Sequence, residues 1–190
     1  RDRTISLLVI GEEAIQDGFH IIGSHIDSPR LELKGRPLFE ASEFALFQTN
    51  YHGGIKYHQW TNLPLALIGR IDKKDGTSIQ VSVGLDTDDP IFMIPELSPH
   101  VDRSRNSKTL AEFITPEDLD PIIGHIPGED GGDIADQVLA YLSQEYGVTR
   151  ADLVSAELSL VPAGAPRDMG FDRGLIAAYG QDDRLASYAG

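Results

Sequence analysis

Cysteine is absent from this sequence, which excludes a disulfide framework, a thiolate nucleophile and a thiolate zinc site. Any metal must therefore be held by His, Asp or Glu. Basic charge is scarce as well: 16 Lys and Arg stand against 30 Asp and Glu, a formal charge of -14. Such a surface repels phosphate backbones and anionic membranes, so neither nucleic acid nor membrane is an expected partner. Long apolar runs are missing, none reaching the ~18 residues of a spanning helix, and no basic-then-apolar leader is read at the start. A cytoplasmic setting is the expectation. The chain begins at Arg1 and stops at Gly190 inside what reads as a helix, so a fragment is expected. With 41% hydrophobic content over 190 residues, there is core enough for one large domain or two small ones.

What is present centres on Gly18-Phe19-His20-Ile21-Ile22-Gly23-Ser24-His25-Ile26-Asp27-Ser28-Pro29. Phe19, Ile21, Ile22 and Ile26 form a short apolar run closed by a proline, the pattern of a buried strand running into a loop. On a strand, His25 and Asp27 would share one face. An imidazole can ligate a metal, and a carboxylate can ligate or orient the imidazole. The same pair also fits a polar strand end capping a turn.

Along the chain, Thr4 to Ile10 predicts a strongly apolar strand, and Leu31 to Lys34 a half-exposed one broken by Gly35-Arg36-Pro37. Phe44 to Tyr51, Leu65 to Ile71, Ser78 to Val83 and Ile91 to Ile94 read as short strands, with Lys73-Lys74-Asp75-Gly76 as a hairpin turn. This style points to a small antiparallel barrel or sandwich. Ile134, Val138, Tyr141, Leu142 and Tyr146 recur at helical steps, and Gly147 is placed to end that helix. Leu153 to Val161 alternates as a strand, with Val154, Ala156, Leu158 and Leu160 on one face. Pro162 to Pro166 is linker-like. Gly174 to Tyr179 reads as another buried strand, followed by Gln181-Asp182-Asp183-Arg184 and a helix start. Those acids fit helix caps first, and otherwise carboxylate ligands leaving a strand end.

Taken together, these segments resemble a known family. Gly23-Ser24-His25-Ile26-Asp27-Ser28-Pro29 resembles the Gly-Ala-His-Thr-Asp-Ser-Pro segment of the aspartyl aminopeptidases, two-zinc exopeptidases that assemble as large oligomers. Tyr51-His52-Gly53-Gly54-Ile55 with Trp60 is similar to that family's Tyr-Gly-Gly-Gly-Ile-Trp, and Leu65 to Arg70 to its Leu-Thr-Leu-Ala-Gly-Arg. Ile94-Pro95-Glu96-Leu97-Ser98-Pro99-His100 is similar to Ile-Pro-His-Leu-Ala-Ile-His, and Gln181-Asp182-Asp183-Arg184 to Leu-Asp-Asn-Leu.

The resemblance implies an α/β fold: a zinc-exopeptidase catalytic domain, present in part, with an inserted β-rich, barrel-like oligomerisation domain. The division it implies is 1–35 and 164–190 for the catalytic domain and 36–163 for the insert. It implies a metalloaminopeptidase that removes N-terminal residues from peptides with two zinc ions. His25 matches a zinc ligand, Asp27 the acid that orients the site, and Asp182 the carboxylate bridging the metals. His100 matches a histidine sent into a neighbouring subunit's active site, so a homo-oligomer is implied; from its own surroundings in the sequence it reads as a solvated loop residue. His20, His52, His58 and His125 match no ligand position. Asn62-Leu63-Pro64 stands where the family commonly has Asp-Arg-Asp, which bears on substrate preference. The family's Glu-Glu pair, a further carboxylate and a last histidine lie downstream of Asp182 and outside the chain. By itself the chain is thus expected to bind zinc poorly and be inactive. Two rival readings are a metal-dependent phosphoesterase and a pure oligomerisation module.

Overall fold

The structure, a computed structural model, describes residues 4–190 apart from the Asp130 side chain. Its central feature follows from the alternating segments. β1 (Arg30–Ala41), β2 (Phe44–His52), β3 (Leu65–Asp72) and β4 (Ser78–Val83) are followed by the short helix α1 (Leu110–Phe113), then β5 (Ile122–Gly124), α2 (Ile134–Tyr146) and β6 (Ala156–Pro162). These strands form one six-stranded sheet in the order β4-β3-β6-β1-β2-β5, with every pair antiparallel. The β3–β4 hairpin turns at the predicted Lys73 to Gly76, where Gly76 supplies the positive φ of 87° that costs glycine least.

The core lies on the face that α2 covers. Ala45, Phe47 and Thr49 point inward along β2 while Gln48 and Asn50 point out, the two-residue period of a half-buried strand. Ile134, Ala135 and Leu142 bury the matching stripe of α2, with Val138 and Tyr146 packed at its margin. The helix begins where the Glu40 carboxylate accepts the Ala135 N–H at 2.6 Å. It ends at Gly147, left-handed at φ 60°, whose N–H reaches the Ser143 carbonyl. Tyr141, expected in the stripe, is exposed.

Several expectations are corrected. Gly35-Arg36-Pro37 does not break β1: the strand continues, and the register with β2 shifts between Leu33 and Leu38. A bulge accommodates a proline that has no N–H to give the ladder. The strand expected from Leu153, β6, starts at Ala156, because Asp152–Ser155 wind into a 3-10 turn that exposes Val154 and buries Leu153. The barrel is not a closed sheet. Single bridges from Leu65 to Phe92 and from Met93 to Ile122 tie the two flanks together at one end without forming a strand.

The largest departures are outside the sheet. Every residue from Thr4 to Asp27 is exposed, and no strand forms at Thr4 to Ile10 or along Phe19 to Ile26. After β6 come β7 (Arg167–Met169) and β8 (Leu175–Ala177), an isolated antiparallel pair, and then α3 (Gln181–Ala189), whose helical dihedrals are interrupted at Asp182. No described residue after Val161 is buried. The two N-terminal apolar runs that read as buried strands find no ladder among the described residues, whereas the run at Gly174 to Tyr179 does form β8 against β7 but stays exposed.

Candidate metal centre

The His25 loop is held in place by hydrogen bonds from distant parts of the chain. Gly53 follows β2 at φ 81°, a backbone conformation that favours glycine, and this turn lies against Pro29 of the loop. From the other side, Ser28 Oγ donates to the Asp182 carbonyl at 2.9 Å, Tyr179 Oη to the Pro29 carbonyl at 2.7 Å, and Ser187 Oγ to the His25 carbonyl at 2.9 Å. These bonds draw residues 25–29 onto the start of α3. The expected strand geometry for His25 and Asp27 is thereby replaced by a loop that reaches a similar juxtaposition.

Within the loop, His25 Nδ1 lies 2.8 Å from Asp27 Oδ1 and 2.8 Å from Asp183 Oδ2. One atom from each of His25, Asp27 and Asp183 falls within 4.8 Å of the others, the one such metal-capable group among the described residues. A carboxylate only accepts, so Nδ1 carries the proton and Nε2 keeps the lone pair that a metal would use. The Asp182 carboxylate is outside the group; it faces that of Asp183. His100 sits on the exposed turn that closes from Ser98 to Val101, with no bond to the group.

The electrostatics match this crowding of acids. The hydrogen bond His25 donates to Asp27, and then the Asp183 charge, raise the pKa of His25 above its usual value. Asp27 is lowered to about 2, first by its bond from His52 and then by that from His25. Asp183 is raised, chiefly by the neighbouring Asp182 carboxyl. Three carboxylates gather near one imidazole, with N–H groups of His25 and His52 as the donors that face Asp27. Such a set of N and O donors without sulfur fits zinc or another borderline or hard divalent cation. Beside it, an open cavity of about 350 Å³ is lined by Pro29, Trp60, Tyr179, Gly180 and Asp182.

One participant was missed by the sequence reading. His52 Nε2 lies 2.5 Å from Asp27 Oδ2, so a histidine matching no ligand position contacts the site through its acid. The available signal was local: His52 stands where the resembled motif has glycine.

Comparison with known proteins bears on the whole chain. The profile of the family described as aminopeptidase I zinc metalloprotease (M18) matches residues 1–190. A Clostridium acetobutylicum protein named "Probable M18 family aminopeptidase 1" is 44% identical over 99% of this chain and 41% of its own length. The crystal structure of aminopeptidase I from that organism superposes with a TM-score of 0.85 at 43% identity, over 94% of this chain and 40% of its own. An M18-family aminopeptidase structure from Thermotoga maritima gives 0.81 at 46% identity, over 86% and 36%. This chain spans about two fifths of the length of such relatives, and across that span it belongs to the M18 family of aminopeptidase I zinc metalloproteases.

Proposed function

We propose that the chain carries one part of the active site of an aminopeptidase that releases N-terminal residues from peptides at a two-zinc centre. The observation that carries this reading is the meeting of His25, Asp27 and Asp183, from segments more than 150 residues apart, within 4.8 Å. His25 would hold zinc through Nε2, with Asp27 orienting it. Asp182, whose carboxylate lies against that of Asp183, is the proposed bridging ligand, and Asp183 adds a carboxylate beside it. Bound zinc supplies an acidified water near neutral pH and polarises a carbonyl oxygen. The cavity beside Asp182 would take the substrate's end, with Trp60 and Tyr179 as its apolar walls.

The proposed assembly is a homo-oligomer in which His100 of one subunit completes a neighbour's site. Its support is exposure: His100 lies on a turn flanked by exposed Leu97 and Val101, an apolar rim of the kind that favours association. In the full-length protein, losing such a donor to the developing oxyanion should lower kcat roughly 100- to 1,000-fold. Mixing a His25→Ala subunit with a His100→Ala subunit should then restore hydrolysis of an amino-acid nitroanilide through hybrid interfaces. Mixed oligomers no more active than either parent would defeat the shared site, and turnover of nitrophenyl phosphate in place of the nitroanilide would defeat the peptidase.

A further inference from the structure

The His25 side chain is 73% exposed and that of Asp27 47%. Packing does not fix groups so open to solvent; hydrogen bonds must. Each oxygen of Asp27 meets one imidazole: Oδ1 meets His25 Nδ1 at 2.8 Å and Oδ2 meets His52 Nε2 at 2.5 Å. Because the carboxylate only accepts, His52 donates from Nε2. Its other nitrogen, Nδ1, faces Glu32 Oε1 at 3.5 Å, and that same oxygen takes Arg30 Nη2 at 2.6 Å. Arg30 also donates to the Ser28 carbonyl at 3.2 Å.

This path of contacts begins on the sheet. Arg30 and His52 are cross-strand partners in the β1–β2 ladder, and Glu32 lies two residues further along β1 on the same side. The ladder thus fixes the backbone from which His52 reaches the loop, while Asp27 itself belongs to no strand.

We infer that His52 is a positioning residue of the metal centre: it holds Asp27 in the orientation in which that carboxylate supports His25, from a backbone position set by the β1–β2 ladder. The inference rests on the metal-site reading given under the proposed function. It assigns the β-rich part of the chain a direct bond to the centre. A ligand's hydrogen-bonding partners typically contribute 10- to 100-fold in metal affinity, and His52 acts one bond further out, through the orienting acid.

The test uses the full-length protein with zinc as the probe, its affinity read by competition with a chromophoric chelator. His52→Phe keeps a ring but removes the donor, and should weaken zinc binding about tenfold. His52→Gln keeps an N–H donor and should recover most of that loss. In an Asp27→Ala background, His52→Phe should have no further effect. The cobalt(II)-substituted protein should show a displaced visible spectrum in His52→Phe and a near-native one in His52→Gln, a signature that a purely structural role would leave unmoved. Native affinity in His52→Phe, or an equal loss with and without Asp27, would overturn the inference while leaving the centre standing. Wild-type protein that takes up no zinc, or a His25→Ala variant that binds it as well as wild type, would overturn the centre and the inference together. Should His52→Phe misfold, the ratio of His52→Gln to His52→Ala decides: a tenfold advantage for glutamine supports the role, and parity refutes it.

Discussion

The sheet region, Arg30 to Pro162, and the two segments flanking it obey different physics. In the sheet, apolar residues alternate, pair and meet α2, and Leu31, Phe47, Leu65 and Leu160 are essentially removed from water. In the flanks, an equally apolar sequence stays exposed, from Ile5 through Ile10 and again at Phe171, Leu175 and Ile176. Hydrophobicity is common to both, and neighbouring layers are what separate them. Yet the metal-capable group is built from flank residues, tied to the sheet by hydrogen bonds from β1 and β2. The buried core and the metal-capable group thus lie in different parts of this chain.

The contrast is sharpest at Phe47, 1% exposed in the middle of β2. Phe47→Ala should cost roughly 3–5 kcal/mol, the usual sum of lost burial and cavity formation. Urea unfolding of this chain, followed by far-UV circular dichroism, should show the midpoint falling with no change in slope. A loss under 1 kcal/mol would mean that the sheet core collapses around the gap and is less tightly built than its burial implies.

A smaller effect probes how the sheet is held at its β5 side. Asp118 accepts both the N–H and the hydroxyl of Thr115 at 2.8 Å, and Arg105 lies 3.3 Å away. Burial pushes the Asp118 carboxyl up, but the Thr115 bonds and the Arg105 charge outweigh it and leave the pKa below the usual carboxylate range. The unfolded chain therefore takes up this proton first. The contribution is complete above the unfolded pKa, near 4, and is lost as pH falls through the lower folded value. Asp118→Asn should cost about 1 kcal/mol at pH 7, the scale of a cap. Its deficit in denaturant midpoint should shrink as the buffer is taken from pH 5 to pH 2.5. A deficit constant across that range would show that geometry alone, and not the charge, holds the turn.

How far the sequence discloses all this differs by region for the same physical reason. Strands β2, β3 and β4, the hairpin at Lys73 to Gly76 and the Gly147 helix end are local patterns, and each lies within a residue or two of its reading. The bulge at Gly35 to Pro37 is not local, since its register exists only against β2. Thr4 to Ile10 carries strand-like composition without finding a partner, and Gly174 to Tyr179 yields the paired strand β8 but not the burial it was read to have, because composition cannot supply a facing layer. In the site, His25 and Asp27 were legible as a pair, although a loop and not a strand brings them together. Asp183 is the acid that lies against His25, at 2.8 Å, while Asp182, read as the bridging carboxylate, stands next to it where the helical dihedrals of α3 are interrupted. His52 was passed over because its partner is 25 residues away in sequence.

The smallest expected effect is at Leu7, 86% exposed in the first flank. In this chain Leu7→Ala should change the unfolding free energy by less than about 0.5 kcal/mol, as surface substitutions generally do, although the same replacement at Leu31 removes a side chain wholly out of water. The two variants differ only in what surrounds an identical residue, so their ratio measures the boundary between the regions. In the full-length protein the comparison gains a second arm. If the apolar flank packs against parts of the protein outside this chain, Leu7→Ala should there cost about 2–5 kcal/mol, the ordinary range for a buried leucine. Equal, negligible costs in both would mean that this apolar run is surface in either setting, and that its strand-like composition serves something other than a core.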